Sequence, residues 1–197
     1  MRALDVSGCT FATVVQLPPD YEVYDFTEGY DPFRVPASPY GVGRYDEKRR
    51  GVYTSELFAG GRDVHMGIDV GAPVGEAIHA FFDGVVHRFA YNAAPGDYGH
   101  TLVTEHEING QLVWALHGHL AARSVEGRWE GQRVTRGEVI AWIGDRHENG
   151  GWNPHLHFQL SLVRPEVADL PGAVSDADRA HALTLYPDPR LVLGSLY

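Results

Sequence analysis

"NPHLHFQL", residues 153–160, is the stretch on which the fold turns. Its apolar and polar residues alternate, as on a β-strand, and a strand sends residues i and i+2 to one face, about 6.6 Å apart. His155 and His157 therefore look the same way. Two imidazoles on one strand face look at water, at a packed neighbour or at a metal ion, and the rest of the chain decides among these.

The chain has 197 residues, which suits one domain with an N-terminal extension and is long enough to bury a core without metal or disulfide staples. With 23 Gly, 12 Pro and a charged fraction of 21%, it favours many turns and short strands over long helices. The formal charge of −10 repels phosphate backbones, so nucleic acid is not an expected partner. The one basic run, "EKRR" at 47–50, reads as a solvated loop. Cys9 has no intrachain partner to form a disulfide. The first 25 residues lack the continuous apolar stretch of a secretory signal, and no window approaches a membrane span. As written, the chain is expected in the cytoplasm, or in the periplasm or outside the cell if another route exports it.

Residues 1–60 are rich in Pro, Tyr and Asp, with a strand expected at 11–17, and read as an aromatic arm packed on the domain that follows at 61–197. Beyond Asp63 short strands are punctuated by turns. "AIHAFFDGVVHRFAYN" reads as a hairpin at Asp83-Gly84, and "HTLVTEHEINGQLVWALHGHL" as another at Asn109-Gly110. A short strand is expected between Gly137 and Gly144. Ser175 caps a short helix over "DADRAHALTL", which "YPDP" ends.

Eleven histidines are present. His79, His87, His106, His147 and His181 read as surface or hydrogen-bonded residues. Three patterns resist that reading: "HMGID", with His65 and Asp69 four apart on a strand running into a turn; "HGH", with His117 and His119 expected on one strand face; and "HLH". A catalytic zinc takes three protein ligands and leaves a fourth position open. Two imidazoles and a carboxylate leave the ion a strong Lewis acid, able to polarise an amide carbonyl or lower the pKa of water toward ~7. Hydrolysis also needs unligated proton carriers beside it, and imidazole titrates near neutral pH. Such a site consumes five residues. The three motifs supply six.

In order and spacing, "HMGID", "HGHL", "GQRVTRGEVIAWIG" and "PHLHF", with the intervening "DGVV", resemble the motifs of the lysostaphin-type (β-lytic) zinc metalloendopeptidases over roughly residues 50–163. The resemblance implies one Zn2+ per chain held by His65, Asp69 and His157, with His119 and His155 as the unligated catalytic pair. It implies a peptide or peptidoglycan-derived substrate. "YTSELFAGG", "NGGWNPHLHFQL" and "YPDPRLVLG" look still more like the version of this module fused to phosphotransferase-like and class III aminotransferase domains. The chain departs from the family at His117, where a Tyr is usual; a third imidazole there either sits near the metal or fills the packing slot of the Tyr, and we favour the slot. It also lacks the signal peptide of the secreted members, and it is acidic where some wall hydrolases are basic.

Strand texture and resemblance together predict an all-β fold: an antiparallel sheet with a groove over the metal, the duplicated barrel-sandwich hybrid motif, and a short C-terminal helix. Residues 1–60 should wrap its side or roof the groove. The expected activity is zinc-dependent hydrolysis of peptide bonds, and the alternative is a zinc-binding scaffold without activity, against which both His119 and His155 argue. A cupin needs a Glu where Arg123 and Ser124 stand, a lipoyl-type carrier needs a Lys at its hairpin tip, and "HENGG" at 147–151 lacks the second His of a zincin helix.

Overall fold

The structure, a computed structural model, describes residues 3–29, 31 and 36–197. Residues 1–2, 30 and 32–35, part of the expected N-terminal extension, lie outside the described residues. Among the described residues twelve strands form: β1 Glu22–Val23, β2 Gly41–Gly43, β3 Val64–His65, β4 Ile68–Gly71, β5 Ala77–His79, β6 Gly84–Asn92, β7 Gly99–Ile108, β8 Gln111–Leu120, β9 Arg133–Val134, β10 Val139–Trp142, β11 His155–Ser161 and β12 Ala173–Val174. Eight of them make one open, mostly antiparallel sheet in the order β1-β2-β4-β11-β8-β7-β6-β9, and β10-β5 and β12-β3 make two small sheets beside it. Among the described residues no helix is long and apolar enough to cross a membrane.

Alternation on β11 sets the two sides of the large sheet. Leu156, Phe158 and Leu160 point into the main core with Ile68 and Val70 of β4 and Val113 and Ala115 of β8, and Ile78 and Ile140 close that core from the small β5-β10 sheet. Each Leu, Ile, Val and Phe among them contributes ~1.5–3 kcal/mol on burial. The opposite side carries His155, His157, Gln159 and Ser161. The segment after β11 folds back over part of this side, where Ala168 and Leu170 pack with Tyr98, Val103, Trp114 and Leu116. The histidines lie where that cover stops.

β7 and β8 form the expected hairpin, with Asn109 and Gly110 at φ 48° and 76°, the left-handed pair that a tight two-residue turn requires. The other expected hairpin does not form. Neither Asp83 nor Gly84 has positive φ, β5 pairs with β10 instead of β6, and Gly84 lies within β6, where a Cβ would stand 2.3 Å from the Glu105 carbonyl. The glycine there serves close strand approach rather than a turn. The strand expected at 11–17 is also absent: two backbone bonds tie Ala12 to Phe81 and His79 to Val14, but the chain bends at Val14–Val15. β10 matches the strand expected between Gly137 and Gly144. Helix α1, Asp176–Leu185, begins on Ser175, whose hydroxyl accepts from Asp178 N–H, and a further short helix, α2 Arg190–Leu193, follows the prolines.

The described residues before 60 join the sheet directly. β2 pairs antiparallel with the edge of β4, Gly43 opposite Asp69, and β1 runs parallel to β2.

Candidate active site

Three adjacent strands in the middle of the sheet carry the groups: Asp69 on β4, His155 and His157 on β11, and His119 near the end of β8. His65 comes from β3, one tight corner before β4. At that corner a Cβ on Gly67 would lie 2.5 Å from His157 Cε1 and 2.9 Å from the Phe158 carbonyl, so only glycine lets the two strands meet over the His157 ring.

His65 Nε2, Asp69 Oδ1 and His157 Nδ1 lie 3.0–3.2 Å from one another. Their neighbours fix what these atoms carry. The Arg44 carbonyl can only accept, so His65 Nδ1, 2.8 Å away, bears the proton and its Nε2 bears a lone pair. The Pro171 carbonyl likewise orients the Gln159 amide, whose Nε2 donates to it and whose Oε1 then accepts from His157 Nε2 at 3.0 Å, leaving His157 Nδ1 unprotonated. Three electron pairs thus converge with no proton among them. A tetrahedral ion with bonds of ~2.0–2.1 Å has ligand edges of about 3.3 Å, so the donor set fits a small divalent cation such as zinc. Burial would raise the Asp69 pKa, but the electrostatics of its neighbours, His65 and the Arg49 guanidinium, outweigh it and hold the carboxyl well below its usual range. Burial, with Arg49 adding, lowers His65 to about 4 and keeps it neutral.

His119 and His155 stand beside this cluster, ring centroids 4.3 Å apart, and His155 Nε2 is 3.7 Å from Asp69 Oδ1. Each donates from Nδ1 to a backbone carbonyl, His119 to Asn149 at 2.8 Å and His155 to Asn153 at 2.6 Å, so each keeps an unprotonated Nε2. Burial lowers both pKa values, His119 further because His155 and His157 crowd it, whereas Asp69 partly offsets the effect at His155.

Regular alternation would have placed His119 elsewhere. Leu102 pairs with His117 and His100 with Leu120, so Gly118 and His119 together face Thr101 in a β-bulge, with His119 at φ 64°. The extra residue turns His119 to the side of His157 and leaves His117 on the core side, against Phe158 at 5.3 Å. The expectation that His117 and His119 share a face is thereby corrected. His117 is fully buried, donates to the Leu102 carbonyl and lies away from the cluster, in a packing position. Gly118 is required as well, since its Cβ would meet the Tyr98 ring at 2.6 Å.

Sequence reading missed three supports: Gln159, on the face of His157 two residues on and so open to the same alternation argument; Tyr98, whose hydroxyl lies 3.4 Å from His157 Nε2 and 3.1 Å from the Leu170 carbonyl; and Arg49. "EKRR" is not wholly solvated, because Glu47 and Arg49 are both buried and Arg49 Nη1 donates to Asp69 Oδ2 at 2.5 Å. The cluster opens into a cleft of ≈ 1480 Å³ walled by Tyr24, Phe26, Tyr53, Trp152 and Asp169 among others.

An all-β domain with two imidazoles and a carboxylate poised for one cation, and two free imidazoles in the same cleft, has the form of a metal-dependent hydrolase. The model of Peptidase family M23 matches residues 63–168, and the chain belongs to that family. It is 35% identical over 123 residues to the DD-carboxypeptidase/endopeptidase Mpg of Neisseria meningitidis serogroup B, covering 59% of this chain and 26% of that protein. It is 33% identical over 120 residues to the peptidoglycan DD-endopeptidase ShyC of Vibrio cholerae, covering 59% and 25%. The chain thus spans about a quarter of the length of these relatives. A catalytic-domain mutant of the prophage-encoded M23 protein EnpA from Enterococcus faecalis overlays with a TM-score of 0.47 at 22% identity, over 70% of this chain and 89% of that one.

Proposed function

We propose that the protein is a zinc-dependent endopeptidase that hydrolyses amide bonds in peptidoglycan or in peptides released from it. The convergence of three unprotonated donor atoms within 3.2 Å, beside two neutral imidazoles, carries this reading. His65, Asp69 and His157 would hold one zinc ion, which supplies the Lewis acidity that polarises a scissile carbonyl and lowers the pKa of water. The chain's own groups do the rest. His155 Nε2 is the better proton acceptor, because Asp69 stabilises the imidazolium it becomes. The proton that His155 takes from the attacking water is returned to the leaving amine, and His119, more deeply buried, faces the same space and shares in that transfer. Backbone carbonyls hold both rings by Nδ1, so neither can turn its basic nitrogen away.

The substrate class follows the peptidoglycan DD-endopeptidase ShyC. We assign residues 1–60 as an extension whose Tyr24, Phe26 and Tyr53 narrow the cleft, a reading supported by their place on its wall. Motif likeness also supports kinship with the form fused to phosphotransferase-like and aminotransferase domains. Purified peptidoglycan and soluble muropeptides, incubated side by side with zinc and with chelator, test the proposal: new amino termini should appear in at least one substrate with zinc and vanish with chelator. Absence of cleavage in both would refute it.

A further inference from the structure

The guanidinium of Arg49 is enclosed behind the donor cluster and bonded on several sides. It donates from Nε to Glu47 at 3.0 Å, from Nη1 to Asp69 Oδ2 at 2.5 Å and to Tyr53 Oη at 3.1 Å, and from Nη2 to the Arg44 carbonyl at 3.3 Å, with the Phe26 ring 5.0 Å from its carbon. A Cβ on Gly43 would stand 2.6 Å from its Nη2, so a larger residue there would push the guanidinium from its place. Every one of these groups except Asp69 precedes residue 63, where the match to the family model begins.

We propose that Arg49 is a positioning residue of the metal centre, and that residues 43–53, within the N-terminal extension, supply part of that centre. The inference rests on the zinc reading above. A carboxylate can offer a cation one oxygen or two. With Oδ2 drawn toward Arg49 by a buried, charge-assisted bond, Asp69 presents Oδ1 to the space shared with His65 and His157, and a two-oxygen grip would have to compete with Arg49 for the electrons of Oδ2. The Arg44 carbonyl that receives Arg49 Nη2 also receives His65 Nδ1, so one backbone oxygen orients a second donor. Glu47 balances the added positive charge, leaving the formal charge of the donor set unchanged.

The test compares wild type, Arg49→Lys and the double variant Glu47→Gln/Arg49→Met, which avoids stranding one buried charge. Zinc affinity is read by competition with a chromogenic chelator, coordination by the visible absorption of the cobalt(II)-loaded protein, and folding by circular dichroism. The double variant should bind zinc ~10–100-fold more weakly, and its cobalt bands should lose intensity as Asp69 grips with both oxygens and the ion gains a ligand. Arg49→Lys, which keeps the charge but not the fork, should show the same changes to a smaller degree, and it decides the matter if the double variant fails to fold. Affinity within ~3-fold of wild type together with an unchanged cobalt spectrum in a folded variant overturns the proposal, since groups that hold a metal ligand in orientation have larger effects. Wild-type protein that takes up no zinc, or Asp69→Ala that keeps it, overturns instead the underlying reading of the site.

Discussion

Replacing Gly67 with alanine adds one methyl group at the corner between β3 and β4, and the contacts there fix the outcome. Its φ is not positive, so alanine meets no backbone strain; the whole effect comes from what the Cβ touches. It would stand 2.5 Å from His157 Cε1 and 2.6 Å from Nε2, where ordinary contact begins at 3.4 Å, so the ring must retreat by about 1 Å. The Phe158 carbonyl at 2.9 Å belongs to a central strand and closes one way out. Overpacking of this kind costs ~1–3 kcal/mol, and a shift of that size in a group of the site lowers turnover by ~10²-fold. Gly71→Ala is the control: its Cβ meets only the Gly41 backbone at 3.5 Å, and a strand glycine replaced without strain gains ~0.4–1 kcal/mol. Urea unfolding and zinc competition on both variants should therefore move in opposite directions for stability, with zinc weakened in Gly67→Ala alone. Equal stability and equal zinc affinity in the two would refute the contact argument.

Other outcomes follow from the same geometry. His119→Ala and His155→Ala should each lose ~10²–10⁴-fold in turnover on whichever substrate the wild type cleaves, with zinc content unchanged; zinc loss from either makes that residue a ligand. Gln159→Leu removes the acceptor that fixes the His157 tautomer, and chelator competition should show ~10–100-fold weaker zinc binding. Burial lowers His106 from 6.5 to about 4, so between these pH values the unfolded chain binds a proton that the folded one refuses. Stability should therefore fall as pH drops from 7 to 4, by up to about 3 kcal/mol from this residue, and His117, lowered to about 3 by burial, acts in the same direction. In His106→Gln the decline measured by urea unfolding should be shallower, and an identical decline would refute the assignment.

Much of the site was legible because its elements are local. The His155-x-His157 strand, the His65-x-x-x-Asp69 corner, the Asn109-Gly110 turn and the Ser175 cap each depend on residues within a few positions of one another. The bulge at Gly118–His119 was not, since one inserted residue reverses the alternation and a histidine gives no local sign of adopting φ 64°. Asp83-Gly84 misled because a dipeptide suited to a turn also suits close strand contact. Arg49 was hidden in a basic run whose default is solvation, and its partner Asp69 lies 20 residues away.

We propose that His65, Asp69 and His157 hold one zinc ion while His119 and His155 do not. Metal analysis of the purified wild type alongside Asp69→Ala, His157→Ala, His119→Ala and His155→Ala tests it directly. The wild type and the His119 and His155 variants should each carry one zinc per chain, and the other two should lose it. Wild-type zinc content in both Asp69→Ala and His157→Ala would contradict it.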